Sequence, residues 1–146
     1  MPLKPKAADA PRIRLALKFY KVTSIITGTF LLLLCLMMLF RYGFGVDIEL
    51  GGPFGFLYLN PREQITAVNL STIILIVHGW FYVFYVLADF NLWSPMRWSF
   101  LRLGIMFLGG IVPLLSFILE RRIHREVVAV LDSFETDSSE SERVPA

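Results

Sequence analysis

The residues best suited to chemistry lie on one face of a predicted helix. His78 lies inside "IVHGWFYVFY" (76–85), an apolar and aromatic run without Asp, Glu, Lys or Arg. Residues at positions i, i+4, i+7 and i+11 share a face of an α-helix. A polar seam therefore follows this helix, and it consists of Ser71, His78, Tyr82, Tyr85 and Asp89. Polar groups inside a membrane span face protein or water rather than lipid, so we predict that the polar seam faces the other helices.

The simplest interpretation of His78 is structural. Pro113 cannot donate a hydrogen bond to the carbonyl of Gly109, so a kink and a free carbonyl are expected in the third predicted helix. A neutral His78 would donate to that carbonyl, and Gly79 and Gly110 would allow the two helices to approach closely. A hydrogen bond of this kind contributes about 0.6 kcal/mol on average.

Three other interpretations give His78 a function. It could titrate near neutral pH while protons or small solutes move along the polar seam, which would require an oligomer. It could bind a metal or haem, although Cys35 and His124 add too few ligands at a suitable depth. The polar seam or an apolar loop could also dock another membrane protein. No catalytic constellation is present, so we predict a non-enzymatic protein without cofactor or metal.

The composition indicates which elements position these residues. Of the 146 residues, 55% are hydrophobic and 18% are charged, whereas soluble domains carry roughly 25% charged residues. Three runs without Asp, Glu, Lys or Arg approach the ~20 residues that a helix needs to cross the hydrocarbon layer. Only helices satisfy every backbone group within such a segment. We therefore predict an all-α membrane protein with three transmembrane helices, at about 22–40, 66–89 and 99–119.

The remaining segments complete the predicted domain. "PRIRLALKFYK" (11–21) is basic on one side and apolar on the other, as is typical of an interfacial helix. The extramembrane loop 41–65 contains a glycine-rich, apolar stretch that either shields the helices or holds a partner. Residues 121–134 have helical apolar spacing and form an amphipathic extension. We predict a membrane domain over 11–134 between a disordered segment, 1–10, and a disordered acidic tail, 135–146.

Two further patterns concern packing and orientation. Ser24 and Gly28 are four residues apart, a spacing that lets another helix approach closely. Charged residues mark the edges of the predicted membrane, namely Arg97, Arg102, Glu120, Arg121 and Arg122. Six basic residues precede the first span, so the positive-inside rule places the N-terminus in the cytoplasm. Three crossings then place the C-terminus outside, in conflict with the arginines that follow the third span.

Three segments resemble a known family: "FYKVTSIITGTFLLLL", "VHGWFYVFYVLADF" and "PMRWSF…GGIVPLLSFILERR". The pair His78-Gly79, Pro113 and the run 120–122 carry the resemblance, which covers about residues 15–125. The chain resembles the YdzA-like family of small bacterial integral membrane proteins, a domain of unknown function. The resemblance implies a three-helix protein of the bacterial plasma membrane and brings no activity with it.

The function predicted from these observations is that of an accessory or scaffold subunit. A three-helix unit has little room for an internal pathway, whereas the apolar loop and the amphipathic extension offer docking surfaces. The expected partners are the lipid bilayer and another membrane protein or a second copy, with no nucleic acid, because the basic residues cluster at helix ends. The alternative is a small oligomeric channel or transporter that uses the polar seam.

Overall fold

A computed structural model describes residues 4–143. After a short 3-10 turn, four helices account for most of the chain: α1 Ala10–Leu39, α2 Leu70–Met96, α3 Phe100–Gly109 and α4 Leu115–Arg143. A π-helical turn, Phe40–Phe44, lengthens α1. Between α1 and α2 lie three strands: β1 Val46–Gly52, β2 Gly55–Pro61 and β3 Val68–Asn69. Two helical segments are long and apolar enough to cross a membrane by length and composition, Ala7–Phe44 and Leu70–Met96.

Helices α1 and α2 pack antiparallel along most of their length. The Thr27 hydroxyl donates to the carbonyl of Phe81 at 3.0 Å, and the Phe30 and Phe81 rings lie 5.1 Å apart. Asn69 caps α2 by accepting a hydrogen bond from the Thr72 amide, which satisfies one of the free donors at the helix start. The first predicted span, 22–40, is helical throughout. The second, 66–89, is helical only from Leu70 onward and continues to Met96, because its first residues form β3 and the turn before it.

The third predicted span is not one helix. Helix α3 ends at Gly109, a break follows over 110–114, and α4 begins at Leu115. Pro113 supplies no backbone donor, and Leu114 adopts a left-handed conformation with φ of 67°. Instead of the kinked helix predicted over 99–119, α3 and α4 form an antiparallel hairpin, called here the α3–α4 hairpin.

Contacts along α4 show that the chain turns back after the break. Ser116 contacts the middle of α1, where its carbonyl accepts a hydrogen bond from Ser24 at 3.1 Å. Near the other end of α4, Glu135 pairs with Arg14, close to the start of α1. Helix α4 therefore runs antiparallel to α1, and residue 143 lies at the same end of the bundle as residue 4.

The largest buried cluster lies at this end of the bundle, where α1, α2 and α4 pack together. The predicted interfacial helix 11–21 is the first part of α1, and its apolar face packs against the other helices. The fully or almost fully buried residues of the cluster are Ile13, Ala16, Leu17, Tyr20, Tyr85, Ala88, Leu92, Met96, Met106, Ile123, Val127 and Leu131. Helical structure also extends over 135–143, which the sequence predicts to be disordered, because Phe134 packs on the cluster and Glu135 pairs with Arg14.

The other chain end shows a similar difference. The sequence predicts disorder over 1–10, whereas Ala7–Asp9 form a 3-10 turn and α1 begins at Ala10. Pro11 in the first turn of α1 fits the fixed φ of proline there. Residues 1–3 and 144–146, which belong to the two predicted disordered segments, lie outside the described residues.

The loop predicted over 41–65 folds into an antiparallel sheet with strand order β2–β1–β3, so the protein is mostly rather than entirely helical. The sheet turns its acidic residues inward: Asp47 and Glu49 of β1 are fully buried. Arg41 donates two hydrogen bonds to Asp47, at 2.7 and 2.9 Å. Glu49 accepts from the amides of Thr66 and Ala67, both at 2.7 Å, and from the Asn60 side chain. These bonds join the hairpin β1–β2 to the chain that precedes α2.

The two carboxylates make the stability of this sheet depend on pH. The amides of Ala67 and Thr66 lower the pKa of Glu49, and Arg41 lowers the pKa of Asp47. A carboxylate whose pKa is lower in the folded state stabilises the fold above its ordinary pKa of about 4, and this contribution is lost as the pH falls below that value. We expect Glu49→Gln to lower the midpoint of thermal unfolding at pH 7 and to lower it by less at pH 3. A difference of the same size at both pH values would contradict this expectation.

Candidate functional site

The polar seam lies on the buried face of α2. Ser71, His78, Tyr85 and Asp89 are at most 9% exposed, and Tyr82 is half-buried. The five residues do not form one continuous chain of contacts, however. Ser71 lies at the sheet end, where its hydroxyl is 3.5 Å from the amide of Ile48 in β1. The other four lie along the helix toward α3 and the buried cluster.

Two tyrosines of the polar seam bind the end of α3. Tyr85 donates its hydroxyl to the carbonyl of Met106 at 2.8 Å, and Tyr82 approaches the carbonyl of Phe107 at 3.4 Å. The last four carbonyls of any helix lack partners within the helix, and a buried carbonyl without a partner is costly. The tyrosines therefore cap α3 at the point where the chain reverses.

Glycines make this close approach possible. A Cβ added to Gly109 would lie 2.5 Å from the Tyr85 hydroxyl oxygen, and one added to Gly110 would lie 2.5 Å from the Tyr82 ring. On α1, a Cβ at Gly28 would collide with Ser116 and lie 2.9 Å from the Phe117 ring. Gly79 differs from these three, because nothing lies within 4 Å of its added Cβ. Its predicted role in helix packing is therefore not seen.

Gly109 and Gly104 offer a matched test of this capping, since both lie on α3. We expect Gly109→Ala to displace the Tyr85 hydroxyl and to reduce the free energy of unfolding by about 1–3 kcal/mol. Gly104 has no atom within 4 Å of an added Cβ, so Gly104→Ala should stabilise α3 by up to about 1 kcal/mol through helix propensity. Thermal unfolding of both variants measures the difference, and equal effects would contradict the capping role.

His78 does not bind the third helix as its structural interpretation predicts. Its Nδ1 atom is buried without a hydrogen-bond partner among the described residues. The side chain lies next to the backbone of Thr27 in α1. The carbonyls at the end of α3 are instead approached by Tyr82 and Tyr85, and Pro113 lies in the break rather than inside a kinked helix.

Asp89 has the least usual environment in the polar seam. The residue is fully buried, and neither carboxylate oxygen has a hydrogen-bond partner within residues 4–143. Asp89 lies on the helix face that packs into the buried cluster, near the tyrosines of that cluster. The hydroxyl of Tyr20 in the same cluster also lacks a hydrogen-bond partner among the described residues. Asp89 is the last residue of the predicted polar seam, and the structure encloses it completely.

The charged residues predicted at the membrane edge lie at the termini end of the bundle. Arg102 pairs with Glu126 and lies 3.9 Å from the centre of the Trp98 ring. Arg122 also approaches Glu126, at 3.5 Å. Arg97 ends α2 in a left-handed conformation, Glu120 is buried, and Arg121 is exposed.

Sequence reasoning missed several residues that join distant elements, chiefly Tyr20, Asp47, Ser116 and Glu126. The i, i+4 spacing of Arg122 and Glu126 was a usable signal for one ion pair, but the others depend on tertiary contacts. Among the described residues, no group of three or more His, Cys, Asp or Glu side chains could hold a metal ion.

Comparisons with known proteins identify the family. The chain belongs to the family described as "Domain of unknown function (DUF3817)", whose model matches residues 17–125. An uncharacterized protein of Mycobacterium tuberculosis, Rv1342c, is 31% identical over 123 residues, which cover 84% of this chain and 85% of the relative. ML1176 of Mycobacterium leprae, also uncharacterized, is 31% identical over 122 residues, covering 80% and 83%. No solved structure matches the chain. The predicted membership of a family of unknown function is confirmed at this level.

Proposed function

We propose that this is an integral protein of the bacterial plasma membrane, within the YdzA-like group, with two full spans and one re-entrant hairpin. Helices α1 and α2 are long and apolar enough to cross the bilayer. Helix α3 has ten residues, about 15 Å, and cannot cross a hydrocarbon layer of ~30 Å. The start of α4, which directly follows the break, lies beside Gly28, near the middle of the uncharged run 22–40. Non-helical backbone is tolerated at that depth only where protein or water forms hydrogen bonds with its polar groups. Here the hydroxyl groups of the two capping tyrosines do so at the end of α3.

The charge distribution supports one orientation. Only Arg41 and Arg62, at the sheet end, lie away from the termini end of the bundle, and the other twelve of the 14 basic residues lie at or near that end. By the positive-inside rule this end is cytoplasmic. The proposed arrangement therefore places both termini in the cytoplasm and the sheet outside. It removes the conflict that three full crossings create for the arginines after the third predicted span.

We further propose a non-enzymatic accessory subunit that docks on a larger membrane assembly through the hairpin β1–β2. The single observation behind this proposal is β2. This edge strand exposes apolar side chains on both of its faces, with Phe56 and Tyr58 on one and Leu57 and Leu59 on the other. Its outer backbone edge is also unpaired in the sheet. A bilayer surface can cover only one face of a strand, whereas a partner protein can cover an edge and both faces.

The alternative, an oligomeric channel, has less support. A shared pore would need the polar seams of several copies at the protein surface, facing a common axis. The polar seam instead packs inside a single chain, against α1 and α3. Its two tyrosines are also engaged in capping α3.

Site-specific crosslinking tests the docking surface. A photoreactive amino acid at position 56 should crosslink an unlike membrane protein in native membranes, and the pair Phe56→Glu and Leu57→Glu should abolish its copurification. The matched control carries two glutamates on the exposed part of α4, Ser133→Glu and Thr136→Glu, and should retain the partner. Crosslinks that join only copies of this chain, or equal loss in the control, would overturn the accessory role.

A further inference from the structure

A groove of about 340 Å³ lies between α1 and α4 at the termini end of the bundle. Five residues line it: Arg14, Leu17, Lys18, Lys21 and His124. Four of the five side chains are basic, and no carboxylate is among them. Arg14 is engaged in an ion pair with Glu135.

The groove has an excess of positive charge. Within the described part of the chain, neither Lys18 nor Lys21 forms an ion pair. The Nδ1 atom of His124 is buried and has no hydrogen-bond partner there. Two free ammonium groups beside an imidazole favour an anion, and phosphate oxygens accept hydrogen bonds from all three.

The depth of the groove indicates where the anion comes from. Lys21 immediately precedes the uncharged run 22–40, so the groove lies at the level of the lipid headgroups in the proposed arrangement. On the same helix face, one turn further along α1, Val22 and Ile25 are exposed apolar side chains. A lipid whose phosphate enters the groove would therefore lay its acyl chains along α1.

We propose that the groove between α1 and α4 binds the phosphate of an anionic phospholipid from the cytoplasmic leaflet. This inference rests on the membrane placement proposed above. Basic pockets at this level are a common way to hold anionic headgroups. The groove would select charged lipids over zwitterionic ones, and the bound lipid would join α4 to the membrane end of α1.

Native mass spectrometry of the full chain in detergent, with phosphatidylglycerol or phosphatidylcholine added, tests the proposal. The natural protein should retain phosphatidylglycerol in preference to phosphatidylcholine. Lys18→Gln with Lys21→Gln should weaken that retention about 30-fold, which corresponds to about 1 kcal/mol for each lysine. The matched control, Lys4→Gln with Lys6→Gln, removes the same charge from the same end and should have little effect.

Equal retention of both lipids, or equal loss of retention in the control variant, would overturn the proposal. Displacement of phosphatidylglycerol by inorganic phosphate at the same concentration would also overturn it, because it would indicate a site for a free anion. If the double variant does not fold, each single lysine variant should still weaken retention about fivefold. An error in the proposed membrane placement can be distinguished from an error in the lipid site, because in the first case the natural protein would not insert into vesicles of either lipid.

Discussion

Green fluorescent protein fused after residue 146 will fluoresce, and alkaline phosphatase fused at the same point will be inactive. Both results are expected because the α3–α4 hairpin returns the chain to the end where it begins. Green fluorescent protein folds in the cytoplasm, and alkaline phosphatase is active only outside it. The activity of each fusion partner differs greatly between the two sides of a membrane, so the pair of fusions is one of the clearest tests of the proposed arrangement.

The hairpin β1–β2 provides the matched control for the fusion. Alkaline phosphatase inserted between Pro53 and Phe54, at the tip of the hairpin, should be active, since the sheet lies at the opposite end of the bundle. An active C-terminal alkaline phosphatase would contradict the re-entrant hairpin and restore the three crossings predicted from the sequence. Activity at neither position would contradict the membrane placement itself.

Asp89→Asn should raise the thermal stability of the protein. The natural carboxylate is fully buried and has no hydrogen-bond partner among the described residues. Burial of this carboxyl group costs several kcal/mol at neutral pH, whether it stays ionised without a partner or takes up a proton on folding, and an amide of the same shape avoids that cost. We expect a gain of about 1–4 kcal/mol at pH 7, which for a chain of this length raises Tm by several degrees.

The control for this variant is Asp132→Asn, which removes a carboxylate from an exposed position of α4. Its midpoint of thermal unfolding should stay close to that of the natural protein, since exposed charges contribute little. Circular dichroism of the purified protein in detergent measures both midpoints. A lower Tm for Asp89→Asn than for the control would contradict this expectation.

The sequence predicts the first two apolar helices well because their signal is local. A run without charged residues is sufficient to predict a helix of this length, and α1 and α2 follow these runs. The reversal after Gly109 is a different case. Hydropathy is the same for a helix that crosses and for a hairpin that turns back, and Pro113 predicts a kink as readily as a break. The contacts of α4 with α1, made by Ser116 and Glu135, distinguish the two.

The sheet was missed for a different physical reason. Alternating strands usually turn apolar side chains inward, but β1 buries Asp47 and Glu49 and pairs them with Arg41 and Asn60. For the candidate site, helical spacing is enough to predict that the polar seam lies on one face of α2. The partners of that face could not be predicted, because Tyr85 binds a carbonyl that exists only after the chain has reversed.

The tyrosine caps also have a consequence for the order in which the chain assembles. In the proposed arrangement, the α3–α4 hairpin entering a bilayer alone would expose the Met106 carbonyl, which Tyr85 caps, to lipid, at several kcal/mol for an unsatisfied group. Because α2 supplies the Tyr85 hydroxyl, the first two helices must be in place before the third segment can enter. Biogenesis would therefore proceed in two stages, with α1 and α2 forming the platform on which the rest of the chain inserts.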